Sequence, residues 1–309
     1  MSNSIVSLTV SQILVLFIFM LCGYVFKKKN IINDALSTVI SRLEVYIFLP
    51  ALCFNTFAGN FNPEILKEKS AFLIIGVVVL SVTFLPALLL SRLFTKNPMT
   101  RGIYLYAFTV PNFGYMGYPL ILAVYGEQML LNFMIVAIPY NIFIYTVGKY
   151  ILSADRRFNP RNLLDPVLIG IVIGSVAGLT GLKLPVFLGS AFTMAAACMA
   201  PLAMIMTGFV LARTSFKFNI SNPKIYLASA LRLLIIPLAA GGIMLLLHVR
   251  PEVMLTMTAF LCMPMGLNNV IFPEAYGGDS GTGAQCCFVS QILGLLTIPG
   301  VFALMGMWG

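Results

Sequence analysis

The sequence predicts an all-α polytopic membrane protein, ten transmembrane helices in a 5+5 inverted repeat with broken crossover helices 4 and 9. Three observations predict it. Hydrophobic residues are 60% of the 309 and charged residues 9%, with a mean hydropathy of +0.97, whereas soluble domains carry about 25% charged residues. Apolar runs of crossing length succeed one another from end to end, and at about 20 residues per crossing they leave no room for a separate soluble domain. Finally, Pro, Gly and aromatic marks recur 151 to 154 residues apart. A single membrane domain, 1–309, therefore divides into a first five-helix repeat, 1–152, and a second, inverted one, 153–309.

Helix 1 is the run 5–26, which has no basic residue ahead of it and ends at Lys27, Lys28 and Lys29. A cleaved signal peptide has the reverse polarity, so helix 1 is read as retained. Helices 2 to 10 follow at 35–58, 70–91, 102–126, 128–148, 163–182, 184–212, 224–247, 253–275 and 281–307. Only helices 2 and 8 carry charge well inside, Arg42 with Glu44 and Arg232 respectively.

The net charge is +9, but its Lys and Arg residues lie in short loops, without the basic stripe or arm that a nucleic-acid partner needs. Topology accounts for them. With the N-terminus outside, thirteen fall on the cytoplasmic side: Lys27 to Lys29, Arg92, Lys96, Arg101, Lys149, Arg156, Arg157, Arg161, Arg213, Lys217 and Lys224. The other side holds four, Lys67, Lys69, Lys183 and Arg250. The positive-inside rule then places both termini outside a cell membrane. The six cysteines sit in or beside apolar runs with no CxxC spacing and read as small hydrophobes. His248, at the outer end of helix 8, is assigned no role, and no metal or cofactor is expected.

The two halves repeat one pattern. Pro50, Ala107-Phe108, Pro111, Pro119 and Tyr125-Gly126 match Pro201, Ala259-Phe260, Pro264, Pro273 and Tyr276-Gly277. Five helices separate equivalent points, an odd number, so the second copy runs through the membrane upside down, the mark of inverted-repeat transporters. Within helix 4, the run from Thr109 through Pro111, Asn112 and Gly114 to Pro119 is too rich in Pro and Gly for a continuous helix. Its counterpart in helix 9 runs from Pro264 through Gly266 to Asn268 and Asn269. Proline removes a donor and displaces the carbonyl one turn back, and groups so freed within a bilayer need protein, water or ligand partners. Two half-helix N-termini meeting there suit an anion. Thr109, Pro111, Asn112, Gly114, Pro264, Gly266, Asn268 and Asn269 are thus the candidate substrate-binding residues; the plainer alternative is a pair of kinks whose asparagines bond neighbouring helices.

These features, together with Phe48-Leu49-Pro50-Ala51-Leu52, Pro201-Leu202-Ala203 with Gly208, and the stretch Arg232 to Pro237, resemble the auxin efflux carrier family. Its members include the plant PIN auxin exporters and bacterial carriers linked to malate or malonate. The resemblance implies a scaffold of helices 1, 2, 6 and 7, a moving transport domain of helices 3 to 5 and 8 to 10, elevator-type alternating access, and a homodimer built on scaffold helices. Two departures stand out: Asp165-Pro166 opens helix 6 where the family usually has Asn-Pro, and the long central loop of the plant members is missing. Auxin is accordingly a poor first guess as substrate.

Arg42 and Glu44 lie about 10 to 14 Å inside helix 2 at 1.5 Å per residue, where an unpaired charge costs about 2.5 kcal/mol or more. They point about 200° apart around the helix, so Glu44 needs another partner, Arg232 being one candidate, or carries a proton. Glu44, Arg42 and Arg232 form the candidate charge and proton-coupling set, with either arginine a counter-charge to a substrate carboxylate; against that stands plain snorkelling of the arginines. No nucleotide-binding or hydrolytic motif occurs, so no enzyme is expected. The chain reads as a secondary transporter of small organic anions. Alternatives are a sodium-coupled symporter of the bile-acid type, which the lack of acidic residues in helices 4 and 9 before Glu274 disfavours, and a membrane ligand sensor, which would normally carry a signalling domain.

Overall fold

The computed structural model describes residues 2–154, 166–213 and 222–305. Arg156, Arg157, Arg161, Lys217, Asp165 and both end residues, all used in the sequence reading, lie outside them. Among the described residues every regular element is helical.

Prolines set where several helices begin. In chain order come α1 (Ser2–Lys28), α2 (Asp34–Leu43), α3 (Leu49–Asn60), α4 (Pro63–Phe94), α5 (Pro98–Thr109), α6 (Tyr118–Phe143) and α7 (Lys149–Leu152). They are followed by α8 (Pro166–Thr180), α9 (Val186–Arg213), α10 (Pro223–Ala230), α11 (Ile236–Leu246), α12 (Pro251–Leu261), α13 (Asn268–Tyr276) and α14 (Ser280–Met305). Proline suits the first helical position because the amide there has no intrahelical partner anyway. Three of these prolines follow an asparagine cap: Asn62, Asn97 and Asn222 accept from the amides of Ile65, Met99 and Lys224 at 2.8, 2.9 and 3.1 Å.

Prolines deeper in the helices act differently. Among the described residues four π-helical turns interrupt the α-helices, and three of them, Glu44–Phe48, Phe113–Gly117 and Leu231–Ile235, end two residues before Pro50, Pro119 and Pro237. A proline ring collides with the carbonyl four residues back. Here that carbonyl belongs to Tyr46, Tyr115 or Leu233, inside the widened turn in each case. The turn relieves the collision and rotates what precedes it. Both buried charges of the sequence reading, Glu44 and Arg232, sit in these turns.

Glycines with positive φ reverse the chain at equivalent places. Gly126 (φ 80) breaks the direction of α6, and Gly277 (φ 70) ends α13 before α14, a conformation that an L side chain adopts only with strain. These are the two Tyr-Gly pairs found in the sequence.

Among the described residues six helical stretches are long and apolar enough to cross a membrane: Ser7–Lys28, Pro63–Phe94, Phe113–Leu152, Val186–Ala212, Pro223–Leu246 and Ser280–Met305. The first halves of sequence helices 4 and 9 are the short α5 and α12, of 12 and 11 residues. Large apolar side chains such as Ile74, Leu89, Leu93 and Leu296 point outward and are at least 66% exposed, as lipid contact requires. The fold is that of a multi-pass helical membrane protein.

Small residues decide the closest packing, since between helices in lipid van der Waals fit replaces the hydrophobic drive. α1 lies along α9, and α3 along α8. Gly170, Gly174 and Gly178, one per turn of α8, face the carbonyls of Pro50, Phe54 and Phe61, which an added Cβ would meet at 2.7, 2.7 and 2.2 Å. At Gly208 of α9 the distance to the Met20 carbonyl would be 1.7 Å. Gly208→Leu is therefore expected to destabilise by about 3 kcal/mol or more, at the upper end of overpacking costs. Gly242→Ala, with nothing within 4 Å of the added carbon, should not destabilise; thermal unfolding in detergent compares the two.

Candidate functional site

The breaks in α5–α6 and α12–α13 meet each other. After Thr109, whose hydroxyl donates back to the Leu105 carbonyl at 2.8 Å, Val110 turns extended at φ −107 and ψ 113. Pro111 and Met265 then form an isolated antiparallel bridge. The Asn112 amide donates to the Pro264 carbonyl at 2.7 Å, and the Gly266 amide to the Val110 carbonyl at 3.2 Å. Groups released by two prolines thus satisfy one another, the requirement for non-helical backbone at membrane depth. The Met265 amide goes to Ser290 Oγ on α14 at 3.1 Å.

Both segments, running antiparallel through the bridge, resume as helices beside one cavity. The Asn112 carbonyl accepts from Gly117 at 3.0 Å and Met116 at 3.3 Å as the π-turn before α6 begins, and the Gly266 carbonyl accepts from Asn269 at 3.1 Å as α13 begins. Beside these two N-termini lies a cavity of about 60 Å³. Pro111, Asn112, Gly114, Gly266 and Asn268 line it, as do Tyr106, Asn141 and Tyr145, with Val45, Leu49 and Val167 as an apolar wall from the α2–α3 and α8 segments. Thr109, Pro264 and Asn269 belong to the crossing but not to the cavity lining. Among the described residues no basic side chain lines it.

The asparagines differ. Asn112 is 2% exposed, and its side-chain nitrogen has no hydrogen-bond partner. Asn268 donates to the Tyr106 hydroxyl at 3.2 Å. Asn269 is fully buried with neither amide atom paired. Unmade bonds of buried polar groups are costly, and natural proteins keep few of them without reason.

The charged set separates. Arg42 is exposed. Glu44 is 0% exposed, both its oxygens lack a partner, and it does not line the cavity although Val45 does. Arg232 is not its partner: the guanidinium donates to the carbonyls of Phe108 at 3.1 Å and Met263 at 3.3 Å. The helix 2 to helix 8 ion pair considered from sequence is thus replaced by bonds to backbone, because the Leu231–Ile235 turn directs Arg232 into the crossing.

Sequence reasoning missed Tyr106, Asn141 and Tyr145. Asn141 and Tyr145, four apart and so on one helical face, are the signal that was present. It also took Lys69 for an outer-loop residue. Lys69 is buried in α4 and pairs with Glu252, in the first turn of α12, to which Asn132 of α6 also donates at 2.7 Å. Among the described residues no His, Cys, Asp and Glu cluster could hold a metal.

A family pattern described as membrane transport protein matches residues 8–162 and 151–302. The chain is 21% identical over 303 residues to the uncharacterized transporter YfdV of Escherichia coli (strain K12), covering 94% of this chain and 95% of that one. It is 22% identical over 295 residues to the uncharacterized transporter MJ1031 of Methanocaldococcus jannaschii, covering 93% and 95%.

The asparagines' different bonding separates their stabilities. Asn268→Ala removes one hydrogen bond and is expected to cost about 1 kcal/mol. Asn112→Ala removes none and should leave the melting temperature unchanged or higher; a clear drop would mean that Asn112 has a structural bond in the membrane.

Proposed function

Because the chain belongs to the auxin efflux carrier family of membrane transport proteins, and is a transporter rather than an enzyme, we propose that it carries a small organic anion across the cell membrane through the crossing of α5–α6 with α12–α13. One observation carries this reading. The unpartnered amide of Asn112 lines a cavity at which two helices begin. Each helix N-terminus is equivalent to about half a positive charge, so a carboxylate there meets an attractive field, backbone amides and a donor that otherwise has no acceptor.

Cavity size narrows the substrate. A single water needs about 10–15 Å³, so a cavity of about 60 Å³ has room for about four to six water-sized groups. That fits a short carboxylic acid in this conformation and not a fused-ring acid such as auxin.

The same reading has ten crossings, two inverted repeats and elevator-type movement. Contacts at the ends of the helices support it by parity. Gln128 donates to Asn60 at 3.0 Å and Lys69 pairs with Glu252, all residues of the proposed outer side. Lys224 donates to the Phe94 carbonyl at 2.6 Å, Thr100 to Asp279 at 2.6 Å, and Ala154 to the Gly277 carbonyl at 2.6 Å, all on the proposed inner side. Each pair is separated by an even number of the ten proposed crossings. The tight packing of α1 with α9 and of α3 with α8 supports a scaffold distinct from the helices of the crossing. The excess of cytoplasmic Lys and Arg supports outward termini.

Glu44 is the proton carrier in this reading. An ionised carboxylate without a partner is expensive within a membrane, so proton binding there is coupled to whether the movement brings water to it. In proteoliposomes, Glu44→Gln, which imitates the protonated form, should transport at a rate independent of pH; a pH profile equal to the unmutated protein's would remove Glu44 from the mechanism.

The binding claim is tested by thermal shift with acetate, pyruvate, malonate and malate. A bound acid stabilises by about 2.7 kcal/mol at a hundredfold excess over Kd. Asn112→Ala should weaken binding by about 5- to 150-fold, the equivalent of about 1–3 kcal/mol. No shift with any acid sinks the anion reading, and an unchanged Kd in Asn112→Ala removes the site from the crossing.

A further inference from the structure

Among the described residues Arg232 is the largest fully buried side chain, 0% exposed, and no carboxylate pairs with it. A guanidinium stays charged at any ordinary pH, so its charge needs compensation from somewhere else. Two carbonyls supply part of it, through Nε and Nη1, while Nη2 is buried without a hydrogen-bond partner. Phe108 lies in the last turn of α5, and Met263 two residues beyond the end of α12. Helix ends leave their last carbonyls open, and each C-terminus carries the equivalent of about half a negative charge. Phe108 supplies one such carbonyl and Met263 lies just past the other helix end, so both helices turn the negative end of their dipole toward the guanidinium and offset part of its charge.

We propose that Arg232 is the positioning residue of the crossing: its guanidinium ties the C-terminal ends of α5 and α12 together and so fixes the register in which Asn112 meets Pro264 and Gly266 meets Val110. It does not line the cavity, so it acts on an anion only through the backbone it holds. By offsetting the two C-terminal ends it leaves the two N-terminal ends, at Asn112 and Asn268, as the uncompensated charge at the cavity. Arginine suits the task because its planar fork aims separate nitrogens at two acceptors, whereas one ammonium is a compact point charge. Pro237 contributes at one remove, through the π-turn that carries Arg232.

The role in anion binding rests on the function proposed above, but the tie itself can be measured without a ligand. Hydrogen exchange followed by mass spectrometry on the full chain in lipid nanodiscs compares the unmutated protein with R232K and R232M. In R232M, peptides containing the Asn112 and Gly266 amides are expected to exchange at least tenfold faster, while those of α1 and α9 keep their rates. R232K should fall between, because charge is retained but the fork is lost. Unmutated rates at the crossing in R232M overturn the proposal, and so does equal protection in R232K and R232M, which would make the role one of packing alone. If R232M does not fold, R232K decides: faster exchange confined to the crossing supports the tie, and unmutated or uniformly raised rates overturn it. Failure of every acid to shift the melting point would sink the anion reading and leave the exchange result standing.

Discussion

Within a bilayer no water completes the hydrogen bonds of an interrupted helix, and the crossing of residues 110–112 with 264–266 is organised by that constraint. A proline in one helix alone would strand amides and carbonyls in hydrocarbon at several kcal/mol per group. Two prolines placed face to face let each extended segment serve as the other's partner, with Ser290 and Arg232 taking groups the bridge does not reach. The remainder of the architecture brings α5 and α12 to one point from separate parts of the chain. The cavity follows as a by-product: where two chains leave an extended bridge and begin helices beside it, amides and a small unfilled space are left together.

Much of this was legible because proline and glycine act locally. Pro111, Pro264, Gly126 and Gly277 mark breaks and reversals at the places where the backbone shows them, whereas the Asn-Pro pairs at 62, 97 and 222 mark helix starts that the sequence reading, with spans opening at 70, 102 and 224, did not use. The lining of the cavity was less legible. Tyr106, Asn141 and Tyr145 are scattered polar positions in apolar spans, and which of them face each other depends on how whole helices are rotated. Lys69 illustrates the same limit: its neighbours in sequence are those of a loop, and its partner is 183 residues away.

The widened turns were only half readable. Pro50, Pro119 and Pro237 follow π-turns, yet Pro86, Pro201 and Pro299 lie inside helices assigned as regular α. A ring clash states that something must give; packing decides whether the helix bends or widens. Glu44 and Arg232 lie within two of the widened turns and are buried there without facing each other.

The glycine ladder of α8 has a mechanical consequence. Where Gly170, Gly174 and Gly178 meet α3, the touching surface is main chain against main chain, with no rotamers to absorb a displacement. Such a joint has almost no play. Any shift of α8 is passed at once to α3 and to the π-turn ahead of it that holds Glu44, so these two helices behave as one stiff rail, and compliance must come from side-chain contacts elsewhere.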